Sequence, residues 1–167
     1  MKKVLVIMGS DSDFSVMQQT FKVLQQFGVA YHAEVCSAHR TPESAAQIAQ
    51  SAFDDGFGVV IAAAGLAAHL PGVVAAHTIL PVIGVPIASG ALNGVDALYS
   101  IVQMPTGIPV ATVAIDGAAN AAILAVQILA CSDSSLADKL VRHKSDLKDT
   151  VESRNQSLRT RMAEAGL

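Results

Sequence analysis

One segment of the chain, Ser37-Ala38-His39-Arg40-Thr41-Pro42, combines a proton carrier with a group that binds anions. Arg40 is the only lysine or arginine within residues 23–138, and a guanidinium can bind a phosphate through a fork of charge-assisted hydrogen bonds. His39, directly before it, exchanges protons near pH 7. We therefore predict that Ser37 and Arg40 bind an anion and that His39 acts as acid and base.

A second polar segment, Gly9-Ser10-Asp11-Ser12-Asp13, follows the first apolar run of the chain. A glycine, two hydroxyls and the backbone N–H groups of a helix N-terminus are typical of phosphate sites. The carboxylates of Asp11 and Asp13 would repel a phosphate, so a carboxylate here is better suited to sugar hydroxyls, with Ser10 and Ser12 binding oxygens on either side. Simple capping of a helix by Ser12 or Asp13 explains the same pattern.

A third segment, residues 64–72, has small apolar residues and one histidine. It resembles the wall of a tight, dry pocket, to which we assign Ala67, His69 and Leu70. Two alternatives remain for His69: its side chain contacts the substrate, or it only caps the helix that follows. The other histidines have no neighbours that suggest chemistry.

The elements that must position these segments alternate between β-branched runs and Ala-rich helical stretches, separated by Gly, Pro, Ser or Asp. The predicted strands are Lys3–Met8, Tyr31–Cys36, Val59–Ala63, Pro81–Val85 and Val110–Ala114. The predicted helices start at Phe14, Thr41-Pro42, Leu70, Val95 and Ala118. This order predicts a three-layer α/β, flavodoxin-like fold with a central parallel sheet of about five strands. Ligands bind such sheets at the carboxyl ends of the strands, where all three segments fall.

The first helix is predicted from a face of large apolar residues and from Gly28, a typical left-handed stop. That face consists of Phe14, Met17, Phe21, Leu24 and Phe27. The second helix has Thr41 at the N-cap and Pro42 at its first position.

The last segment, from about Ser135 to Ala165, is highly charged and carries a thin apolar stripe. The stripe is Leu136, Leu140, Leu147, Val151, Leu158 and Met162. Its eleven-residue repeat predicts a long, nearly straight helix rather than a heptad coiled coil. We divide the chain into a catalytic region, residues 1–131, and a C-terminal helix, residues 132–167, that packs on a neighbouring subunit; together they form one domain. The alternative is a frayed tail.

Composition limits the class of protein. The net charge of -3 argues against a nucleic-acid or anionic-membrane surface. The chain is 51% hydrophobic and 15% charged, which favours burial against other subunits. A long stretch without charges, residues 56–95, is interrupted by too many Pro and Gly residues for a membrane helix. The N-terminus lacks the pattern of a signal peptide, so we expect a cytoplasmic protein.

Several chemistries lack their signatures. Neither a dinucleotide-binding Gly-x-Gly-x-x-Gly nor a P-loop follows a strand. The chain has no Trp, and the strand ends offer no aromatic surface for a flavin. Alanines replace the acceptor aspartate of a phospho-receiver, and no metal-ligand cluster is evident. Cys36 and Cys131 are predicted to be buried, reduced thiols.

Six segments together resemble the class I N5-carboxyaminoimidazole ribonucleotide mutases of bacterial purine synthesis. They are Met8–Asp13, Ser37–Pro42, Ala67–Gly72, Pro81–Pro86, Ser100–Pro105 and Gly107–Thr112, in the order of that family. The resemblance implies a homo-octamer that moves a carboxylate from an exocyclic nitrogen to ring carbon four without ATP, metal or organic cofactor. It also implies that Ser10, Ser37 and Arg40 bind phosphate, that Asp13 binds the ribose hydroxyls, and that His39 is the acid and base.

The chain departs from that pattern in three side chains and one loop. The family usually has Gly-Ala-Gly-Gly-Ala-Ala-His-Leu-Pro-Gly-Met, whereas this chain has Ala63 and Leu66 at two of the glycines and Val73 for the methionine. The loop near Asp116 is about two residues shorter. Two alternatives to the mutase therefore stay open: direct carboxylation of aminoimidazole ribonucleotide by CO2, and a catalytically weak nucleotide-binding oligomer.

Overall fold

A parallel sheet of five strands in the order β2-β1-β3-β4-β5 organises the fold. The computed structural model describes residues 2–167. The strands are β1 (Lys3–Met8), β2 (Tyr31–Val35), β3 (Phe57–Gly65), β4 (Val82–Ile87) and β5 (Ala111–Thr112). The predicted α/β, flavodoxin-like fold is confirmed. Because β2 and β3 lie on opposite sides of β1, the connection after β1 and the connection after β3 leave the sheet in opposite directions.

Apart from Lys3 at the start of β1, the central strands β1, β3 and β4 are apolar, and most of their residues are buried, as expected for parallel strands covered by helices. β3 is longer than predicted because Phe57 and Gly65 extend it at both ends. The edge strands, β2 and β5, lack this extensive burial. β5 contains only two residues, and β2 is largely exposed, with Val35 51% accessible.

Residues 2–167 also form six helices. They are α1 (Phe14–Phe27), α2 (Pro42–Ser51), α3 (Leu70–His77), α4 (Val95–Val102), α5 (Ala118–Ala130) and α6 (Ser134–Glu164). A short 3-10 helix, Asp11–Asp13, precedes α1. The left-handed stop predicted for α1 is confirmed, since Gly28 has a φ of 69°.

The buried face of α1 differs from the predicted one. Met17, Leu24 and Phe27 are buried, but Phe14 is 55% exposed. Phe14 stacks on Phe21, which in turn stacks on Tyr31 of β2. These rings therefore form a surface row, because helical periodicity does not distinguish a core face from an adjacent row of stacked side chains.

The start of α2 also differs from the expectation that the Thr41 side chain caps the helix. Thr41 occupies the N-cap position, but its side chain makes no capping hydrogen bond. Its hydroxyl instead accepts the N–H of Ser37 at 3.0 Å and donates to the carbonyl of Ser37 at 3.1 Å. The turn from residue 37 to residue 41 is thereby closed by a side chain as well as by the backbone.

The chain divides into a unit that ends at Leu129 and a second unit, Ala130–Leu167. The second unit consists mainly of α6, whose 31 residues correspond to a length of about 46 Å. Asp133 caps this helix by accepting the N–H groups of Ser135 and Leu136. The hydroxyl of Ser135, followed by the N–H of Leu136, lowers the pKa of the Asp133 carboxyl. Within residues 2–167, no helix is both long and apolar enough to cross a bilayer.

Candidate active site

A cavity of about 560 Å³ lies where the connections after β1, β2 and β3 meet. Every residue assigned to the site from the sequence lines it: Ser10, Ser12, Asp13, Ser37, His39, Arg40, Ala67, His69 and Leu70. The carboxyl ends of neighbouring parallel strands lie at one edge of a sheet, which explains this convergence. Their roles in binding and catalysis remain predictions.

The connection after β1 is held by a reciprocal capping arrangement. The hydroxyl of Ser10 accepts the N–H of Ser12 at 3.3 Å, and Asp13 Oδ2 accepts the N–H of Ser10 at 3.1 Å. Ser10, rather than Ser12 or Asp13, is therefore the residue that caps this short helix. The arrangement fixes the orientation of the carboxyl group of Asp13 at the cavity wall.

Asp13 lines the cavity but is only 7% exposed, so its carboxyl group is largely shielded from water. Burial raises the pKa of its carboxyl above the ordinary value of 3.8, and the charge of Asp11 adds a smaller increase. Hydrogen bonds from the backbone of Ser10 and Gly9 and from the hydroxyl of Ser12 lower the pKa and partly offset burial. A desolvated carboxylate gains most from a ligand that donates hydrogen bonds to it, as sugar hydroxyls do.

The connection after β2 places a hydroxyl beside the guanidinium. Ser37 Oγ accepts the backbone N–H of Arg40 at 3.3 Å and lies 3.5 Å from Arg40 Nε. Arg40 is exposed and lines the cavity. The pair presents donors of both kinds, hydroxyl and guanidinium, toward an anion that enters from solvent.

The two histidines of the cavity are in direct contact. His39 Nε2 lies 2.9 Å from His69 Nδ1, and the rings meet edge to face with their centroids 4.8 Å apart. His69 Nδ1 is also 2.9 Å from the carbonyl oxygen of Ala67. A carbonyl can only accept, so this contact favours the tautomer of His69 that has its hydrogen on Nδ1, shared between the carbonyl of Ala67 and Nε2 of His39.

The backbone of the third connection turns sharply after β3. Leu66 adopts a φ of 54°, and its carbonyl accepts the N–H of Ala68 at 2.8 Å. His69 occupies the N-cap position of α3, but its side chain makes no capping hydrogen bond. The alternative that His69 only caps α3 is therefore wrong. Leu70, which follows, is buried and closes the apolar side of the cavity.

The two residues that replace family glycines have different backbone conformations. Ala63 is buried within β3, where it lies opposite Met8 and Val85, and its φ is not positive. An alanine is therefore accommodated without strain. Leu66, in contrast, has the left-handed conformation that glycine adopts most easily.

Ser89, in the connection after β4, lines the cavity but was not identified from the sequence. A Cβ at Gly65 would clash with its hydroxyl oxygen, so the serine lies directly against the end of β3. The N–H of the preceding Ala88 donates to Asp116 Oδ1 at 2.8 Å, which anchors this connection to the loop after β5. The signal that could have identified Ser89 is its position after a fourth parallel strand.

The two cysteines differ in exposure. Cys36 is buried, but Cys131 is exposed, contrary to the prediction, because it lies in the turn between α5 and α6. Within residues 2–167, His, Cys, Asp and Glu side chains form no group of three or more that could hold a metal ion.

The chain is similar to characterised proteins over most of its length. The family model described as AIR carboxylase matches residues 3–150. The N5-carboxyaminoimidazole ribonucleotide mutase of Pyrococcus horikoshii is 56% identical over 153 residues, covering 92% of this chain and 86% of the relative. The protein of the same name from Escherichia coli K12 is 55% identical over 140 residues, covering 83% of each chain.

Solved structures extend the similarity to three dimensions. The crystal structure of Treponema denticola PurE superposes with a TM-score of 0.82 at 30% sequence identity, covering 92% of this chain and 96% of the other. The cavity described above lies within the part of the chain that the family model matches. This protein therefore belongs to the AIR carboxylase family.

Proposed function

We propose that this protein is an N5-carboxyaminoimidazole ribonucleotide mutase of purine (IMP) biosynthesis. It would move the carboxylate from the exocyclic nitrogen of its substrate to ring carbon four. The observation that carries the proposal is that one cavity holds an anion-binding pair, a desolvated carboxyl group and an imidazole that exchanges protons. The names of the relatives support the same substrate.

Substrate binding is assigned to the polar rim of the cavity. Arg40, Ser37 and Ser10 bind the phosphate, and Asp13 accepts hydrogen bonds from the ribose hydroxyls, with Ser12 beside it. This division places the negative phosphate near the guanidinium and the hydroxyl donors near the carboxyl group. The base then lies against Ala67, His69 and Leu70, near His39.

The reaction requires one proton carrier. As the bond between nitrogen and the carboxylate carbon breaks, CO2 forms and the nitrogen gains a proton. Carbon four then attacks CO2, and the proton that this carbon loses replaces the one given to the nitrogen. We assign both transfers to His39, so that protons and electrons balance over the cycle without a redox partner. We accordingly propose no cofactor and expect full activity in the presence of a metal chelator.

Assembly is a separate part of the proposal. We propose a cytoplasmic homo-octamer in which residues 1–131 carry the reaction and the C-terminal helix, residues 132–167, packs on a neighbouring subunit. The exposed apolar residues of α6 support this, because they lie along a helix that is otherwise charged. They are Val141, Leu147, Val151, Leu158 and Met162.

Sedimentation of the full-length chain tests the assembly. Replacing Val151 and Leu158 together by Asp should shift the octamer to smaller species, whereas Ser153→Asp, at an exposed polar position of the same helix, should not. A chain that sediments as a monomer before any substitution would contradict the proposal.

Two substrates tested separately distinguish the three possible functions. The purified protein is supplied either with the freshly prepared carbamate ribonucleotide or with aminoimidazole ribonucleotide plus bicarbonate, and the carboxylated product is measured. Product from the first substrate alone supports the mutase. Product from the second alone indicates a carboxylase, and product from neither indicates a nucleotide-binding protein with little activity.

A further inference from the structure

Leu66 has a backbone conformation that is unusual for its side chain. Its φ of 54° lies in the left-handed region, where a Cβ approaches the following carbonyl oxygen. A leucine kept in this conformation at the edge of a cavity suggests that its side chain contributes something a glycine would not.

The side chain of Leu66, in the connection after β3, reaches the connection after β4. A Cβ built on Gly90 would lie only 2.6 Å from Leu66 Cδ2, so the leucine fills the space above that glycine. Gly90 also has a positive φ, 63°. The side chain of Leu66 therefore lies against Gly90 and links the connection after β3 to the connection after β4.

This bridge lies next to the groups assigned to the reaction. Leu66 lines the cavity. It is followed by Ala67, whose carbonyl oxygen contacts His69, and His69 in turn contacts His39. On the opposite side, Ser89 precedes Gly90 and also lines the cavity. Leu66 is 53% exposed, so its side chain lies at the opening of the cavity, and removing it would widen that opening beside the paired imidazoles.

We propose that Leu66, resting on Gly90, is a retention residue that keeps CO2 in the cavity between its release from nitrogen and its capture by carbon four. The inference rests on the proposed mutase reaction and adds a role for a residue that departs from the family pattern. CO2 is small, uncharged and a weak hydrogen-bond acceptor, so closing its exit with an apolar side chain is more effective than offering it a polar partner.

Isotope retention tests this role. The substrate carries a 13C label in its carboxylate, the solution contains unlabelled bicarbonate and carbonic anhydrase, and the label in the product is measured by mass spectrometry. The unchanged protein should retain most of the label. Leu66→Gly should lose severalfold more label per turnover, although the backbone strain at this position is relieved.

Further variants separate the side chain from the backbone. Leu66→Ala keeps the strained conformation and should lose label as Leu66→Gly does, and Gly90→Ala, which displaces the leucine, should also lose it. Leu92→Ala is the matched control. Leu92 is an exposed leucine in the connection after β4, as Gly90 is, but it does not line the cavity. Label retention in this control should equal that of the unchanged protein.

The outcomes distinguish this inference from the proposed function. Full retention in Leu66→Gly or Leu66→Ala, with both variants folded and active, would overturn the retention role while leaving the mutase intact. Loss of most of the label by the unchanged protein would also overturn the retention role without contradicting the mutase. If the unchanged protein forms no product from the carbamate ribonucleotide, the mutase proposal fails, and the retention role fails with it.

Discussion

His39 Nε2 and His69 Nδ1 lie 2.9 Å apart at the wall of the cavity, and the carbonyl of Ala67 contacts the same atom of His69. This arrangement favours a hydrogen on Nδ1 of His69, because the carbonyl cannot donate. In the neutral pair we therefore expect Nε2 of His39 to be an acceptor, and His39 must take up a proton before it can protonate the substrate nitrogen. We propose that His69, besides contacting the base, positions His39.

The tautomers of the two histidines are the first testable consequence. In the 15N NMR spectrum of the ligand-free protein, at a pH where both rings are neutral, we expect a protonated Nδ1 for His69 and an unprotonated Nε2 for His39. His69→Ala should shift the tautomer population of His39 and lower kcat by about tenfold, and KM should rise because the base loses one of its contacts. A protonated Nε2 on His39 in the unchanged protein would contradict the assignment.

Loss of the proton carrier should separate turnover from binding. For His39→Asn, we expect kcat to fall to background, a loss of about 10²–10⁴-fold or more, because the amide cannot carry the proton. The Kd for the ribonucleotide should stay unchanged, since the phosphate and ribose contacts remain. The matched control is His32→Asn, an exposed histidine of β2 whose partner is Glu34. Activity retained in His39→Asn would remove His39 from the mechanism.

Removal of the guanidinium should act mainly on affinity. Arg40→Ala should raise the Kd for the ribonucleotide about 10- to 100-fold, because a hydrogen bond to a charged group is worth about 1.5–3 kcal/mol. The Kd of Arg40→Lys should lie between that of Arg40→Ala and that of the unchanged protein. Lysine keeps the positive charge but cannot form the paired hydrogen bonds of a guanidinium. The matching nucleoside, which lacks the phosphate, should bind the variant and the unchanged protein equally well. A similar loss of affinity for that nucleoside would place the phosphate elsewhere.

The buried carboxyl of Asp13 predicts a pH-dependent difference in stability. Its pKa is raised by burial, so the folded state binds the proton more tightly than the unfolded state does. Ionised Asp13 therefore destabilises the fold above this raised pKa, and the penalty disappears as the pH falls through it. Asp13→Asn should be more stable than the unchanged protein at pH 7, with the difference shrinking in acid.

Urea unfolding at several pH values measures the difference in stability between Asp13→Asn and the unchanged protein. Substrate kinetics measure the effect of the substitution on ribonucleotide binding. Asn can still accept the N–H of Ser10, which keeps the turn intact. KM for the ribonucleotide should rise, because an amide offers the ribose hydroxyls a weaker acceptor. A variant that is less stable at pH 7, by an amount independent of pH, would show that the carboxylate stabilises the turn.

The convergence of the three loops could be predicted from the sequence because it follows from topology. Parallel strands place their carboxyl ends together, so the segments beginning at Gly9, Ser37 and Ala64 had to share one edge. The same rule applied to β4 would have added Ser89. Burial on α1 was harder to predict, since Phe14 fits the helical period yet stacks on the surface.

Details that depend on backbone dihedrals and rotamers could not be predicted. The contact between His39 and His69 requires the turn that Leu66 begins, and a leucine gives no sequence signal for a positive φ. The hydroxyl of Thr41 illustrates the same limit: its position before Pro42 predicts a helix cap, but the nearby backbone of Ser37 offers it both a donor and an acceptor.

The hydrogen bond from Ala88 to Asp116 gives the cavity a support that is far away in sequence. Asp116 has a left-handed φ of 56°, and its own N–H donates to the carbonyl of Pro86 at 2.8 Å. The segment that bears Ser89 and Gly90 is thus tied at its base by a residue that does not line the cavity. We therefore expect a change in the length or sequence of the loop around Asp116 to alter the rigidity of one wall while leaving every group assigned to the substrate unchanged.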